Sequence, residues 1–262
     1  MILTADGTFT VFHPLYGEPY HSVTAGALTE CLEKFLYPSG ILQRAKEKRE
    51  IRILDIGFGL GYNVAVAIKH LRDENRHLQI YVLSFEKELM ENPPLLPEPY
   101  GYYQRLLWEN LPAFEKEGIS FKLLLGDARK KITEVSSFEA HVVFHDAFSP
   151  LKNPELWTLQ FLLQVKRLMD IEGVWISYTS SLAVRKSLWL LGFNLQTTAS
   201  VGRRRGGTKA GLSIPTLLSP QEMHKLLHSP FSVPLEDHTL EDDPSLILTR
   251  YNLRVEHLKA PL

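Results

Sequence analysis

Residues 51–62, IRILDIGFGLGY, set an apolar run directly before a glycine-rich turn, a pattern that suits a nucleotide-like ligand. Gly57, Gly59 and Gly61 alternate with Phe58 and Leu60, so the backbone is free to take positive φ where a ligand needs the space of a Cβ. Asp55, near the end of the strand, offers a hydrogen-bond acceptor to ligand or loop. A dinucleotide fingerprint needs a small residue at position 62, and that residue is Tyr62. GxGxG after an apolar strand with an acidic end fits S-adenosylmethionine (SAM), which has no pyrophosphate to seat on a helix N-terminus, better than it fits NAD. The alternative is a turn that serves only the course of the chain.

The most unusual segment is HDAFSPLKNPELW, residues 145–157. Asp146 sits where a strand stops, while Pro150 and Pro154 stiffen the loop and delay the next helix. Methyl transfer from a sulfonium is an in-line displacement, so the protein must place a nucleophile against the methyl carbon. An alkylamine of pKa about 10.4 is neutral in only about one molecule in a thousand at pH 7, a cost of roughly 4 kcal/mol. Asp146 therefore reads as orienter and proton acceptor, the alternative being an aspartate that only holds the loop. Lys152 and Asn153 are placed at the entrance; Trp157 reads as core.

Further strand ends complete the cofactor site. Glu86 lies 25 residues after Gly61, where an acid meets a ribose hydroxyl pair. Gly126, Asp127 and Ala128 end another strand, with Asp127 a candidate acceptor for the adenine amino group and also a helix N-cap. Between Glu172 and Glu222 there is no acid, yet Arg185, Lys186, Arg203, Arg204, Arg205 and Lys209 fall there. Such segregation in a near-neutral chain points to a phosphate-binding face, the alternative for 203–205 being a solvated hairpin tip.

These residues must be positioned by an α/β framework. From residue 50 onward strands (51–56, 79–85, 120–125, 140–145, 172–178) alternate with helices (61–73, within 100–117, 128–134, 154–169, 180–191), which implies a parallel sheet covered on both faces. Runs 193–201 and 205–214 form a closing hairpin, so the last strand enters antiparallel, the architecture of class I SAM-dependent methyltransferases with a Rossmann-like sheet. The expected division is 1–49, a β-hairpin and helix (24–37) packed on the core; 50–218, the methyltransferase core; and 219–262, an appendage with a helix at 220–228 and an acidic stretch at 241–243. With 262 residues, 44% hydrophobic, the chain has a substantial core. Its 29 basic and 30 acidic residues mean that a nucleic acid must be held by a local patch. Cys31, the single cysteine, excludes an intrachain disulfide and a cysteine-rich metal site, and no metal is expected. No signal sequence or membrane-length apolar run is visible, which places the protein in the cytoplasm with no membrane partner.

Together, DIGFGLGYN (55–63), LSFEKE (83–88), HDAFSPLKNPELWT (145–158), YTSSLAVRKSLWLLGF (178–193), VGRRRGGTKAG (201–211) and YHSVTAGALTE (20–30) resemble the methyltransferase (DUF752-like) domain of the MnmC family. The resemblance runs through most of the chain and implies SAM as donor and the amine of 5-aminomethyl(-2-thio)uridine at the wobble position of tRNA as acceptor. It also implies that Asp55, Gly57, Gly59, Glu86 and Asp127 hold the cofactor, that Asp146 faces the amine, and that the tRNA anticodon region is the partner. Bifunctional members carry a C-terminal FAD-dependent oxidase, whereas only a short tail follows here. The expectation is a chain without that oxidation, supplied with aminomethyl uridine by a separate enzyme.

Rival readings are methylation of a small-molecule amine, aminopropyl transfer, a non-catalytic RNA-binding module and, disfavoured by Tyr62 and the closing hairpin, a dehydrogenase.

Overall fold

The apolar residues before the glycine turn become the centre of an eight-stranded sheet, because Ile51, Ile53, Leu54 and Ile56 are all buried and need cover on both faces. The computed structural model describes residues 1–202 and 205–260. The chain begins with two small hairpins rather than one: β1 (Ile2–Leu3) pairs with β2 (Phe9–Thr10), and β3 (Phe12–His13) with β4 (Glu18–Pro19). Helical chain follows as α1 (Ala27–Glu30), a π-helical stretch Cys31–Leu36 and α2 (Tyr37–Ser39). Gly40, left-handed at φ 72°, ends it and leads to α3 (Ile41–Glu47).

The alternating part runs β5 (Glu50–Ile56), α4 (Tyr62–Glu74), β6 (Gln79–Glu86), α5 (Tyr100–Glu109), β7 (Ala113–Lys116), β8 (Ile119–Leu125), α6 (Ala128–Glu134) and β9 (Ala140–His145). A 3-10 turn (Pro154–Trp157), α7 (Leu159–Arg167), β10 (Met169–Ser177), α8 (Leu182–Leu190), β11 (Asn194–Thr197) and β12 (Thr208–Gly211) complete it. The strand order is β11-β12-β10-β9-β5-β6-β8-β7. The pairs among β8, β6, β5, β9 and β10 are parallel. β12 runs antiparallel to both neighbours, with Ala210 opposite Trp175 on one side and Leu195 on the other. The order reverses between β5 and β9, which opens a crevice at the carboxyl ends of these strands.

Three boundaries depart from the sequence reading. The helix expected within 100–117 stops at Glu109, because Pro112 lacks the N–H needed to continue it, and 113–116 form edge strand β7, where Phe114 stacks across on Phe121 at 5.7 Å. The helix expected from 154 starts at Leu159, since Thr158 caps it by accepting from Phe161 N. The acidic stretch at 241–243 opens a further helix, α10 (Pro244–Lys259), beyond α9 (Pro220–His228): Asp243 caps it at 2.8 Å from Ser245 N and Pro244 takes its first turn.

Hydrophobic cores fill both faces of the sheet. One packs α4, α5 and the N-terminal helices; the other packs α6, α7, α8 and the C-terminal segment. That segment is tied down by Arg129 of α6, whose guanidinium reaches the fully buried Asp237 (2.8 Å) and the carbonyl of Asp242 (2.9 Å). Leu159 N adds a bond to Leu235 O at 2.8 Å.

Candidate active site

The crevice holds a cavity of about 310 Å³, walled by the turns that follow β5, β6, β8 and β9 and roofed by Tyr16, Glu18, Tyr20 and His21 of the N-terminal segment. Its size suits a nucleoside-sized ligand. Gly57, at φ +90°, lies so close to the end of β9 that a Cβ would sit 2.9 Å from the Asp146 carbonyl oxygen; at Gly59 a Cβ would meet the Tyr20 ring at 3.1 Å. Both glycines line the cavity, so the turn makes room for chain and ligand at once. Gly61 does not line it. A Cβ there would meet Phe58 and Trp108, so its absence serves packing at the start of α4.

Glu86 stands in the wall with one oxygen accepting from Gly59 N (2.7 Å) and the other from Lys87 N (2.8 Å). Burial raises its carboxyl despite these bonds. Asp127 and Ala128 are also in the wall. Asp127 caps α6 and is gripped by Arg129, so that Oδ1 accepts from Arg129 N and Nε (2.9 and 3.1 Å) and Oδ2 from Nη2 and Nε (2.7 and 3.3 Å). Burial alone would raise its pKa, but those bonds outweigh it and the carboxyl is lowered. Three N–H groups of Arg129, with Nε shared between the two oxygens, thus engage both oxygens of this carboxylate, which leaves it less acceptor capacity than a free one.

Asp55 is placed differently from the expectation. It is 1% exposed, lies outside the cavity wall and takes a bond from Ser84 Oγ at 2.8 Å, while burial pushes its carboxyl up to about 8.

Asp146 stands half-buried in the cavity wall, where Asn63 Nδ2 donates to Oδ2 at 2.7 Å. Burial, and then the charge of Glu30, push this carboxyl well above its ordinary range; the Asn63 bond opposes them. Glu30 is itself buried, accepting from Lys34 Nζ (2.6 Å) and Ser22 N (2.6 Å). His21 is fully enclosed and stacked on Tyr62 at 4.6 Å, and burial lowers it to about 4, so it is neutral. The loop after β9 is locked in place: Glu18 accepts from Ser149 N and Oγ (3.0 and 2.6 Å), Trp157 Nε1 donates to Phe148 O (2.8 Å) and Tyr178 Oη to Ala147 O (2.9 Å). Phe148 stacks on Tyr16 with centroids 4.4 Å apart.

Asn153 lines the cavity, whereas Lys152 is exposed outside it. One member of the basic stretch is withdrawn from it. Arg185 is buried and commits its guanidinium to Thr208 Oγ1 (2.9 Å), Gly207 O (3.0 Å), Thr197 Oγ1 (3.1 Å) and Glu222 (3.3 Å), the acid that ended the acid-free stretch. It braces the closing hairpin rather than meeting phosphate. Lys209 is half-buried in mid-strand opposite Ile176 and Gln196; Lys186 is half-buried on α8; Arg205 is exposed. None of these four lines the cavity, and Arg203 and Arg204 lie outside the described residues. The residues that sequence reasoning passed over are the N-terminal roof, Glu30, Asn63, Phe148 and Glu155. A signal for one pair was present, since Glu30 and Lys34 stand at helical i,i+4 spacing.

Among the described residues no group of three or more His, Cys, Asp or Glu is arranged to hold a metal, and no helix is long and apolar enough to cross a membrane. A family model described as S-adenosyl-L-methionine-dependent methyltransferase matches residues 101–213. A protein of Methanocaldococcus jannaschii is 33% identical over 273 residues, covering 100% of this chain and 74% of that protein. The tRNA 5-methylaminomethyl-2-thiouridine biosynthesis bifunctional protein MnmC of Burkholderia mallei is 28% identical over 214 residues. That match covers 74% of this chain and 32% of the relative, so the chain spans about a third of the bifunctional protein's length. The crystal structure of MnmC2 from Aquifex aeolicus superposes with a TM-score of 0.94 at 54% identity, covering 98% of this chain and 84% of that one. With a cavity built at the switch point of a class I sheet and 54% identity over nearly all of this chain and most of the Aquifex one, this chain belongs to the MnmC2 family of SAM-dependent methyltransferases.

Proposed function

We propose that the chain methylates the primary amine of 5-aminomethyl(-2-thio)uridine at the wobble position of tRNA, giving 5-methylaminomethyl(-2-thio)uridine. The observation that carries the reading is Asp146, a carboxylate in the cavity wall held by Asn63 and raised by burial and by Glu30. The name of the bifunctional relative, which concerns 5-methylaminomethyl-2-thiouridine in tRNA, supports the choice of acceptor.

SAM supplies an electrophilic methyl group on a positively charged sulfur. The glycine turn at Gly57 and Gly59 gives it room, and Glu86 in the cavity wall is the carboxylate offered to ribose hydroxyls. Asp146 takes the proton from the incoming ammonium. A carboxylate of ordinary pKa is a weak base for an alkylammonium, and raising it narrows the gap that proton transfer must cross. Asn63 fixes the orientation of the carboxylate, so that the freed lone pair faces the methyl carbon. Arg205 and Lys152, exposed outside the cavity, and Lys87, exposed at its wall, are among the described basic residues available to meet tRNA phosphates.

One observation favours a rival acceptor. Arg185 is buried and engaged, and a small-molecule amine needs no basic face. The two acceptors separate in one assay: methyl-labelled SAM is incubated with tRNA carrying the aminomethyl group, with the same tRNA lacking it, and with small alkylamines. Label confined to the aminomethyl tRNA supports the proposal, and label on the amines alone contradicts it.

A further inference from the structure

We infer that Glu155, rather than Asp127, accepts the hydrogen bond of the adenine amino group and so selects adenosine as the nucleoside of the cofactor. The 3-10 turn Pro154–Trp157 carries Glu155 into the cavity wall, beside Ala128 and Leu156, whose apolar atoms suit the faces of a purine. Its side chain is more than nine-tenths buried, at 8% exposure, and Oε2 finds no hydrogen-bond partner among the described residues. A buried carboxylate oxygen without a donor is costly and calls for one. Asp127, the other acid at this end, already has both oxygens engaged by three N–H groups of Arg129. Arg129 and Lys87 both act on Glu155 through their charge, and both line the same cavity, so the two acids share one end of it. Of these two acids, Glu155 is the one with an oxygen that has no donor among the described residues, and the exocyclic amine of an adenine is a donor that fits it.

The turn is also rigid enough to select. Thr158 caps α7 directly behind it, and Trp157 anchors it to the Phe148 carbonyl. A donor at purine C6 is therefore required in a fixed place, and a purine without one leaves the carboxylate unpaired.

The test is calorimetric binding of S-adenosylhomocysteine and of its analogue with hydrogen in place of the 6-amino group, with no transfer step involved. Wild type should prefer the amino compound by about ten- to hundredfold, the range of a hydrogen bond to a charged group. Glu155→Leu should bind the two within about twofold while holding the analogue as wild type does, and Glu155→Gln, which keeps a carbonyl acceptor, should retain part of the preference. Thermal unfolding should leave the Leu variant no less stable, since it removes an unsatisfied buried acid. A preference that survives in Glu155→Leu, or equal losses for both ligands, would overturn the inference. If the Leu variant does not fold, wild type still decides: a preference below about twofold overturns the inference, and Glu155→Gln must show a reduced one.

Discussion

Asn63 Nδ2 donates to Asp146 Oδ2 at 2.7 Å, which ties the first turn of α4 to the end of β9 across the switch point of the sheet. The bond places the proposed base where the two halves of the fold meet, beside the Gly57 turn of the cavity wall.

Replacing the base tests that placement. Asp146→Asn keeps the shape and the hydrogen-bonding bulk but cannot take a proton, so methyl transfer should fall about 10²- to 10⁴-fold. Binding of S-adenosylhomocysteine, followed by calorimetry, should change much less. A variant with near wild-type turnover would remove Asp146 from the chemistry.

Burial and the Glu30 charge raise Asp146, so the enzyme loses its base as pH falls through that raised pKa. Activity should drop tenfold per pH unit on the acid side. Glu30→Gln deletes the repelling charge and leaves Lys34 unpaired, and both changes favour ionised Asp146. The acid limb of the kcat/KM profile should therefore move to lower pH. A profile of unchanged position would show that Glu30 acts only through packing.

Asp55 gives the opposite kind of pH dependence, in stability rather than rate. Its folded pKa, about 8, lies above the ordinary carboxylate value of about 3.9, so the stabilisation from the protonated form is complete at low pH and is lost as pH rises through about 8. Asp55→Asn, which cannot ionise, should gain on wild type between about pH 4 and 8, by on the order of 1 kcal/mol per pH unit. Urea unfolding at several pH values reads the gap; a gap independent of pH would show that Asp55 ionises as freely folded as unfolded.

Arg129 joins Asp127 of the cavity wall to the fully buried Asp237 of the C-terminal segment. Arg129→Ala strands a buried carboxylate and should cost about 3–5 kcal/mol in urea unfolding. It should also loosen the segment, read as faster proteolytic cutting within 229–243. Stability within about 1 kcal/mol of wild type would mean that the segment is held by its apolar contacts alone.

The parts of this fold legible in the sequence were those written in local patterns. The buried run before Gly57, the glycine turn, the helix over 128–134 and the antiparallel closing strand follow from periodicity and turn residues. Helix α10 was hidden because Asp243 and Pro244, a cap and a first-turn proline, read as part of an acidic run. Residues of the cavity wall were legible where they follow from a strand end, as with Glu86 and Asp146. Partnership was not: Arg185 reads as a surface cation until Glu222, 37 residues away, is seen to meet it. Glu30 likewise reaches the site only because the N-terminal segment folds back over the crevice.

The most direct measurement is mass analysis of tRNA nucleosides after reaction of the full chain with SAM and tRNA bearing 5-aminomethyl(-2-thio)uridine. The account predicts one added methyl on the exocyclic amine of the wobble nucleoside, giving the secondary amine and nothing elsewhere. A methyl on another nucleoside or on ribose, or no methyl on tRNA while a small-molecule amine is methylated, would contradict it.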